Sequence, residues 1–538
     1  MVLTTSDDEQ LTGIGAPPSP RRAAPARHRR ARPRSHWRVF ALAAGIVFCA
    51  MALWSAATPV YAAPDEPVHV IKAAAVVRGQ LVGQTAGASQ EAFAMVRVPG
   101  TYGLPANRND PTCFHRRPTV PASCAPAITA SSAPTDSWIY VARYPPLYYA
   151  IVGLPSLLSD SPVTIYAMRL VSALLSALMI GLAAMVAVRW SRRRLTLVGV
   201  AVATTPMVLF LGGVVNPSGF EVSSAIAAWT CGAVLVLEHL EDPPPGLIAA
   251  LGVSCTVLEL IRSLSPFWLA LTALFLVAVS DLRRLRALLR RRDVQIMLAV
   301  ALGLGALACA WIIGEHSTAV YARGGLGPTS ELTILETSFA HTDFYLPTMI
   351  GVFGWFDTWA PTFTYVAWYG LVGVLVLLAA VLGRRRDALV LAALVIAILV
   401  VPVIISTSQV HRYGYTWSGR DTLPLAVGLP ILASVLIDRT GISTRAVRLA
   451  GRLMPLVVLA QFGAFYEALR RYAVGTRGPD FGFLLHASWA PPGGFALLLA
   501  AEAAVLVVGT RALVRAVRQA PPPDPDAPTG RRHAQALA

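Results

Sequence analysis

The sequence predicts an all-α polytopic membrane protein with about 12 transmembrane helices and a large first extracytoplasmic loop, and three observations predict it. Of its 538 residues 55% are hydrophobic and only 14% charged, whereas soluble domains run near 25% charged. Apolar runs of 17 or more residues recur along the chain, and about 20 such residues in a helix cross a bilayer. Arginine clusters fall in alternate connecting loops, the pattern left by the positive-inside rule. Spanning segments must be helices, because hydrocarbon offers no partner to backbone polar groups.

In chain order, residues 1–38 are basic, contain Pro17-Pro18-Ser19-Pro20 and read as a disordered cytoplasmic tail. Spans are expected near 39–58, 164–188, 195–214, 219–237, 246–262, 265–280, 294–314, 362–382, 388–407, 422–437, 453–470 and 493–511, so that the transmembrane domain covers 39–511. Residues 512–538 form a second disordered cytoplasmic tail. Val60-Tyr61-Ala62 after the first span resembles a signal-peptide cleavage site. The apolar stretch before it is longer than a signal peptide's usually is, so the first helix is expected to stay uncleaved. Four arginines in Arg189–Arg194, six in Asp281–Asp293, three in Arg384–Arg386 and four in Arg439–Arg452 lie on one side with both termini. That side is expected to be the cytoplasmic one. The loop Glu238–Gly246 is acidic where arginine is expected, but acidic residues carry little weight in the rule. The net charge of +16 is thus a record of topology, and nucleic acid is not an expected partner.

The polar material is spent outside. The loop 59–163 is the longest and 315–361 the next. Loops beyond about 15 residues usually carry function or structure of their own. Cys113 and Cys124 are the only cysteines in the oxidising compartment, so a disulfide between them is expected. No GxxxxGK[ST] loop, strand-placed GxGxxG, HExxH or GxSxG occurs, which removes the usual nucleotide, metalloprotease and esterase readings.

Candidate functional residues gather at this outer face. Pro64-Asp65-Glu66-Pro67 opens an expected interfacial helix over 68–82, with Asp65 or Glu66 as its N-cap and Pro67 in its first turn. His69 and Lys72 follow one turn on. An ordinary capped helix is the simpler reading of this stretch. Further along stand Arg143 and Tyr144, Asn216 and Glu221, Arg262 paired with Glu259, Asp357, His411 and Arg412, and Arg420. Each has a local explanation as an ion pair, a headgroup anchor or part of an aromatic belt. Together they place carboxylates and arginines at the depth of a lipid phosphate, where ionisable groups are functional candidates. Guanidinium matches phosphate geometry, and a carboxylate can take the proton of a sugar hydroxyl. The chemistry suits sugar transfer from a polyprenyl-phosphate donor to a glycan or glycolipid acceptor. No cofactor is called for, except for a divalent cation that Asp65 and Glu66 would hold.

Pro64-Asp-Glu-Pro-Val-His69, Arg143-Tyr-Pro-Pro-Leu-Tyr-Tyr149, Asn216-Pro-Ser-Gly-Phe-Glu221, Arg262-Ser-Leu-Ser-Pro266, Phe353-Gly-Trp-Phe-Asp357 and Gly419-Arg-Asp-Thr-Leu-Pro424 resemble, in order, the domain-of-unknown-function 2142 family, its actinobacterial branch above all. That family is itself similar to the GT-C glycosyltransferases. The resemblance implies a GT-C-like helical core, Asp65 as catalytic base with Glu66 supporting it or binding a metal, and Arg262 and Arg420 on the lipid phosphate. One departure stands out: Asp421 follows Arg420 where the family carries tyrosine, and a carboxylate there could pair with Arg420 and weaken its hold on phosphate. Three readings stay open: an inverting extracytoplasmic glycosyltransferase, a flippase or transporter of a lipid-linked sugar, and a non-catalytic envelope-assembly scaffold.

Overall fold

The computed structural model describes residues 34–85, 93–103, 112–192, 194–238, 240, 242–319, 329–440 and 444–519; the two expected tails lie largely outside them. Helix α1 (Arg34–Ala57) leads to α2 (Glu66–Val76) and a small sheet of β1 (Gln84–Thr85), β2 (Ala94–Pro99) and β3 (Pro134–Ile139). Then come α3 (Leu147–Val152), α4 (Val163–Trp190), α5 (Thr196–Ala203), α6 (Pro206–Gly212), α7 (Pro217–Leu237), α8 (Pro245–Glu259), α9 (Ser265–Val279), α10 (Leu282–Leu289) and α11 (Arg292–Gly314). The second large loop folds as α12 (Glu331–Ala340), α13 (Thr342–Ile350) and a hairpin of β4 (Val352–Phe353) and β5 (Thr358–Trp359). Helices α14 (Thr362–Leu382), α15 (Arg385–Tyr413), α16 (Gly419–Ala426), α17 (Gly428–Arg439), α18 (Thr444–Val474) and α19 (Phe495–Arg518) complete the bundle.

Among the described residues, nine helical segments are long and apolar enough to cross a membrane, and α8 and α9 are shorter apolar helices of 15 residues each. The expected span 195–214 is instead two short helices. Pro206 forces the break, since a proline disfavours helix at the residue before it. Thr205 caps α6 and donates to the Met349 carbonyl at 2.9 Å, and the Gln461 amide reaches the freed Thr204 carbonyl at 2.8 Å. Side chains thus satisfy the broken backbone, as membrane depth requires.

Helix α7 is the centre of the bundle and is almost wholly buried, with α16 and α17 against it. Close approach depends on small residues here: a Cβ on Gly428 would fall 2.3 Å from the Trp229 ring. Toward the first loop the core is aromatic. Trp54 packs on Phe210, Phe353 and Phe465 at centroid distances of 5.7, 4.8 and 5.3 Å.

The first loop is not a surface helix on the membrane. Strands β1, β2 and β3 pair antiparallel in that order, with Ala94 opposite Ile139 and Pro99 opposite Pro134. Ala94, Val96 and Val98 turn inward onto α2. Every residue of α2 is consequently buried. The expected interfacial helix is an internal one because the sheet, which the helical periodicity could not announce, covers the face that would have met water.

Candidate active site

Between α1 and α2 the chain turns sharply, and Tyr61 and Asp65 adopt left-handed backbone with φ of 70° and 61°. Aspartate tolerates that region better than most residues because its short polar side chain can bond locally. Asp65 holds the N-cap position of α2 with Pro67 beside it, yet its carboxylate does not cap the helix. Its Oδ1 accepts from the Tyr140 hydroxyl at 2.7 Å, and its Oδ2 accepts from Nη2 of Arg420 at 2.5 Å. Asn216 steadies the turn: its amide donates to the Pro64 carbonyl at 3.0 Å while its Oδ1 caps α7 through the Ser218 N–H at 2.9 Å.

Glu66, one residue on, points the other way. It is fully buried and forms a two-pronged pair with Arg169, at 2.7 Å to Nε and 2.6 Å to Nη2. The Tyr61 and Val215 N–H groups donate to the same carboxylate at 3.0 and 3.1 Å. Arg169 spends its remaining donors on the carbonyls of Ser55, Thr58 and Pro59. With both oxygens bonded to Arg169 and to backbone N–H groups, Glu66 turns away from the cavity that Asp65 faces. It locks α4 to the end of α1. Among the described residues no three His, Cys, Asp or Glu side chains converge as metal ligands would.

Asp65 opens onto a cavity of about 1100 Å³ that Tyr144, Arg262, Asp357, Arg420 and Asp421 also line. Arg262 sits between two carboxylates, 2.9 Å from Oε2 of Glu221 and 3.2 Å from Oδ1 of Asp421. Ser265 donates to the other Glu221 oxygen at 2.6 Å, and Ser418 holds the other Asp421 oxygen through its hydroxyl at 2.8 Å. Asp421 therefore pairs with Arg262 and not with Arg420, against the expectation from its position in the sequence. Successive residues at the start of α16 diverge: Arg420 reaches Asp65 and lies 5.4 Å above the Phe356 ring. Its buried Nε and Nη1 find no hydrogen-bond partner among the described residues.

The β4–β5 hairpin carries Trp355, Phe356 and Asp357 at its tip. Gly354 turns it with φ of 61°, where an added Cβ would stand 2.5 Å from Oδ1 of Asp357. Asp357 accepts from Nη2 of Arg471 at 2.8 Å, and Arg471 also donates to the carbonyls of Phe114, Arg117 and Val120. One buried guanidinium thus ties the hairpin to the loop closed by the Cys113–Cys124 bond, whose Cα atoms lie 6.1 Å apart. That loop lends His115, Arg116 and Pro118 to the cavity wall, and the His115 ring lies tilted against Trp355 with centroids 3.8 Å apart.

The other expected site residues stand outside the cavity. His69 lies behind Asp65, its Nδ1 2.9 Å from the Tyr149 hydroxyl. Lys72 is buried and donates to the carbonyls of Leu81 and Ala142. Arg143 donates to the Glu315 carbonyl at 2.9 Å. His411 pairs at the surface with Glu331 at 3.0 Å, and Arg412 lies 5.2 Å over the Tyr413 ring. Tyr140 and His115 carried no motif in the sequence, and Trp355 stood within the Phe353–Asp357 motif without being singled out. They reach the cavity only because β3, the hairpin and the disulfide loop converge there.

Electrostatics separate Asp65 from His69. Burial alone would raise the Asp65 carboxyl, but the Arg420 charge and the bonds from Tyr140 and Arg420 outweigh it and hold the group at about 2. Burial pushes His69 down to about 3, so its ring is neutral beside the carboxylate. Tyr140→Phe is expected to let the Asp65 pKa rise toward the ordinary carboxylate value of about 3.9. Any acid limb of activity that belongs to Asp65 then shifts to higher pH, because only the ionised form accepts a proton. A pH–rate profile of the variant checks this, with a fall in kcat of about fivefold to tenfold for one lost hydrogen bond.

The helical bundle defines a multi-pass membrane protein with one cavity lined by both arginines and carboxylates. The chain belongs to the family described as predicted membrane protein (DUF2142), whose model matches residues 48–429. Two solved structures of ArnT from Cupriavidus metallidurans are similar to it at 15% identity and a TM-score of 0.43. The form bound to undecaprenyl phosphate is matched over 88% of this chain and 76% of ArnT, the apo form over 90% and 77%. No curated protein matches the sequence.

Proposed function

We propose that the protein is a membrane glycosyltransferase that moves a sugar from a polyprenyl-phosphate donor to an envelope glycan or glycolipid on the extracytoplasmic face, with inversion at the transferred carbon. One observation carries the reading: Asp65, Arg262 and Arg420 line a single cavity, and two buried donors of Arg420 find no hydrogen-bond partner among the described residues. Arg420 is the group to meet the donor phosphate, and Asp65 the group to take the proton of the acceptor hydroxyl. The acceptor oxygen attacks the sugar carbon from the side opposite the phosphate. The carbon–phosphate oxygen bond breaks as the new bond forms, and the lipid phosphate leaves as an anion against Arg420, with Arg262 adding positive field nearby. The depressed Asp65 pKa keeps the base ionised at any physiological pH.

The test is transfer from a panel of polyprenyl-phosphate sugars by purified protein in liposomes. Arg420→Ala is expected to raise the donor KM by about 10-fold to 100-fold, the weight of a charge-assisted hydrogen bond of 1.5–3 kcal/mol. An unchanged KM removes Arg420 from the phosphate. Lipid moved across the bilayer with no sugar transferred would mark a flippase instead.

A further inference from the structure

Arg471, near the end of α18, is buried and stands behind the cavity lining. Its Nη1 donates to the Val120 carbonyl at 2.9 Å, and its Nη2 reaches the carbonyls of Phe114 and Arg117 at 2.9 and 3.2 Å as well as Asp357. The disulfide loop has a second hold on the same helix end, where the Thr476 N–H donates to the Pro118 carbonyl at 2.8 Å. The hairpin has less to stand on. Strands β4 and β5 contain two residues each, and so short a ribbon is marginal without support. The Arg471 and Asp357 side chains are only 0% and 7% exposed. Parting them would leave two buried charges unpaired. The pair therefore fixes the hairpin tip to the end of α18.

That tip touches both sides of the Asp65–Arg420 pair. The Phe356 ring lies 5.4 Å from the Arg420 guanidinium. The Trp355 indole N–H donates to the Tyr61 carbonyl at 3.4 Å, at the start of the turn that presents Asp65. Phe356 itself has left-handed backbone, with φ of 63°. A bulky side chain keeps such a conformation only where its surroundings brace it, and the brace next in sequence is Asp357 with Arg471. We propose that Arg471 is a positioning residue of the site: through Asp357 and the hairpin it sets how Asp65 and Arg420 stand to each other, without touching substrate. The assignment rests on the glycosyltransferase reading above.

The experiment measures kcat, its pH profile and the melting temperature of Arg471→Met and Arg471→Lys in the full-length protein. Arg471→Met removes the charge and the donors, and is expected to lower kcat about 10²-fold, the cost of misplacing reacting groups by about 1 Å. The acid limb should also move to higher pH. The Arg420 charge helps to hold the Asp65 carboxyl at about 2, and a displaced Arg420 lets that carboxyl take up its proton sooner as pH falls. Tyr140 and His69, which also face Asp65, are left in place. Arg471→Lys keeps a charge opposite Asp357 and is expected to restore most of both losses. A lower melting temperature with kcat and acid limb as in wild type overturns the proposal and leaves Arg471 a structural residue. Should Arg471→Met fail to fold, Asp357→Asn cuts the same link with little change of shape; both shifts are expected again, and their absence overturns the proposal. Should wild type transfer from no polyprenyl-phosphate sugar, the glycosyltransferase reading itself fails, and amide hydrogen exchange of the folded variant decides the positioning role. Faster exchange at 61–65 and 419–421 as well as at 352–359 supports it, and faster exchange confined to 352–359 overturns it.

Discussion

Asp65→Asn is expected to lower kcat by about 10²-fold to 10⁴-fold, the usual contribution of a positioned general base. The substitution preserves shape, and an amide oxygen can still accept from Tyr140. What it removes is the proton acceptor and the charge opposite Arg420. The donor KM should not rise, because Arg420 loses a competitor for its guanidinium. Folding should persist, since the Asp65 turn is also held by Asn216 and by the Glu66 network. Turnover of each sugar donor in liposomes, alongside the melting temperature of the purified protein, separates the two effects. Full activity in a folded Asp65→Asn protein would remove Asp65 as the base.

Glu66→Ala is expected to act on folding and not on the chemistry. It leaves Arg169 charged and unpaired in a site where neither side chain has any exposure. Breaking a buried pair by deleting one partner costs about 3–5 kcal/mol, a large part of the 5–15 kcal/mol that keeps a typical domain folded. The Tyr61 and Val215 N–H groups lose their acceptor as well. The yield of monodisperse protein in detergent and its melting temperature should therefore collapse, while any molecules that do fold keep their specific activity. A stable Glu66→Ala protein with no transfer activity would return Glu66 to the chemistry. The two neighbouring carboxylates are thus told apart by which measurement moves.

The motif Pro64-Asp65-Glu66-Pro67 was legible as a functional candidate from its place just after the first span. Which of its two acids faces the cavity was not. Helical spacing assigned His69 and Lys72 to the same face as Glu66, and all three turn inward, where the fold buries them. Arg262 and Arg420, singled out by resemblance, do line the cavity with Asp65. Asp421 was expected to compete for Arg420; one step of helix rotates it to Arg262 instead. Tyr140 left no trace because a single tyrosine at a strand end has no periodic or motif signature. Its role depends on β3 running past the α2 turn.

Composition, apolar runs and arginine placement were enough to determine a helical multi-pass protein whose polar chemistry is concentrated in a few loops. Those properties belong to each segment's own partition between water and hydrocarbon, so they are written locally. Only the tertiary structure decided which charges meet which. Asp65 and Arg420 are 355 residues apart, and Glu66 and Arg169 are 103. In a low-dielectric interior each buried charge must find its counter-charge to within a few ångströms. The packing of α1, α4, α7 and α16 settles those distances, and no local pattern encodes them.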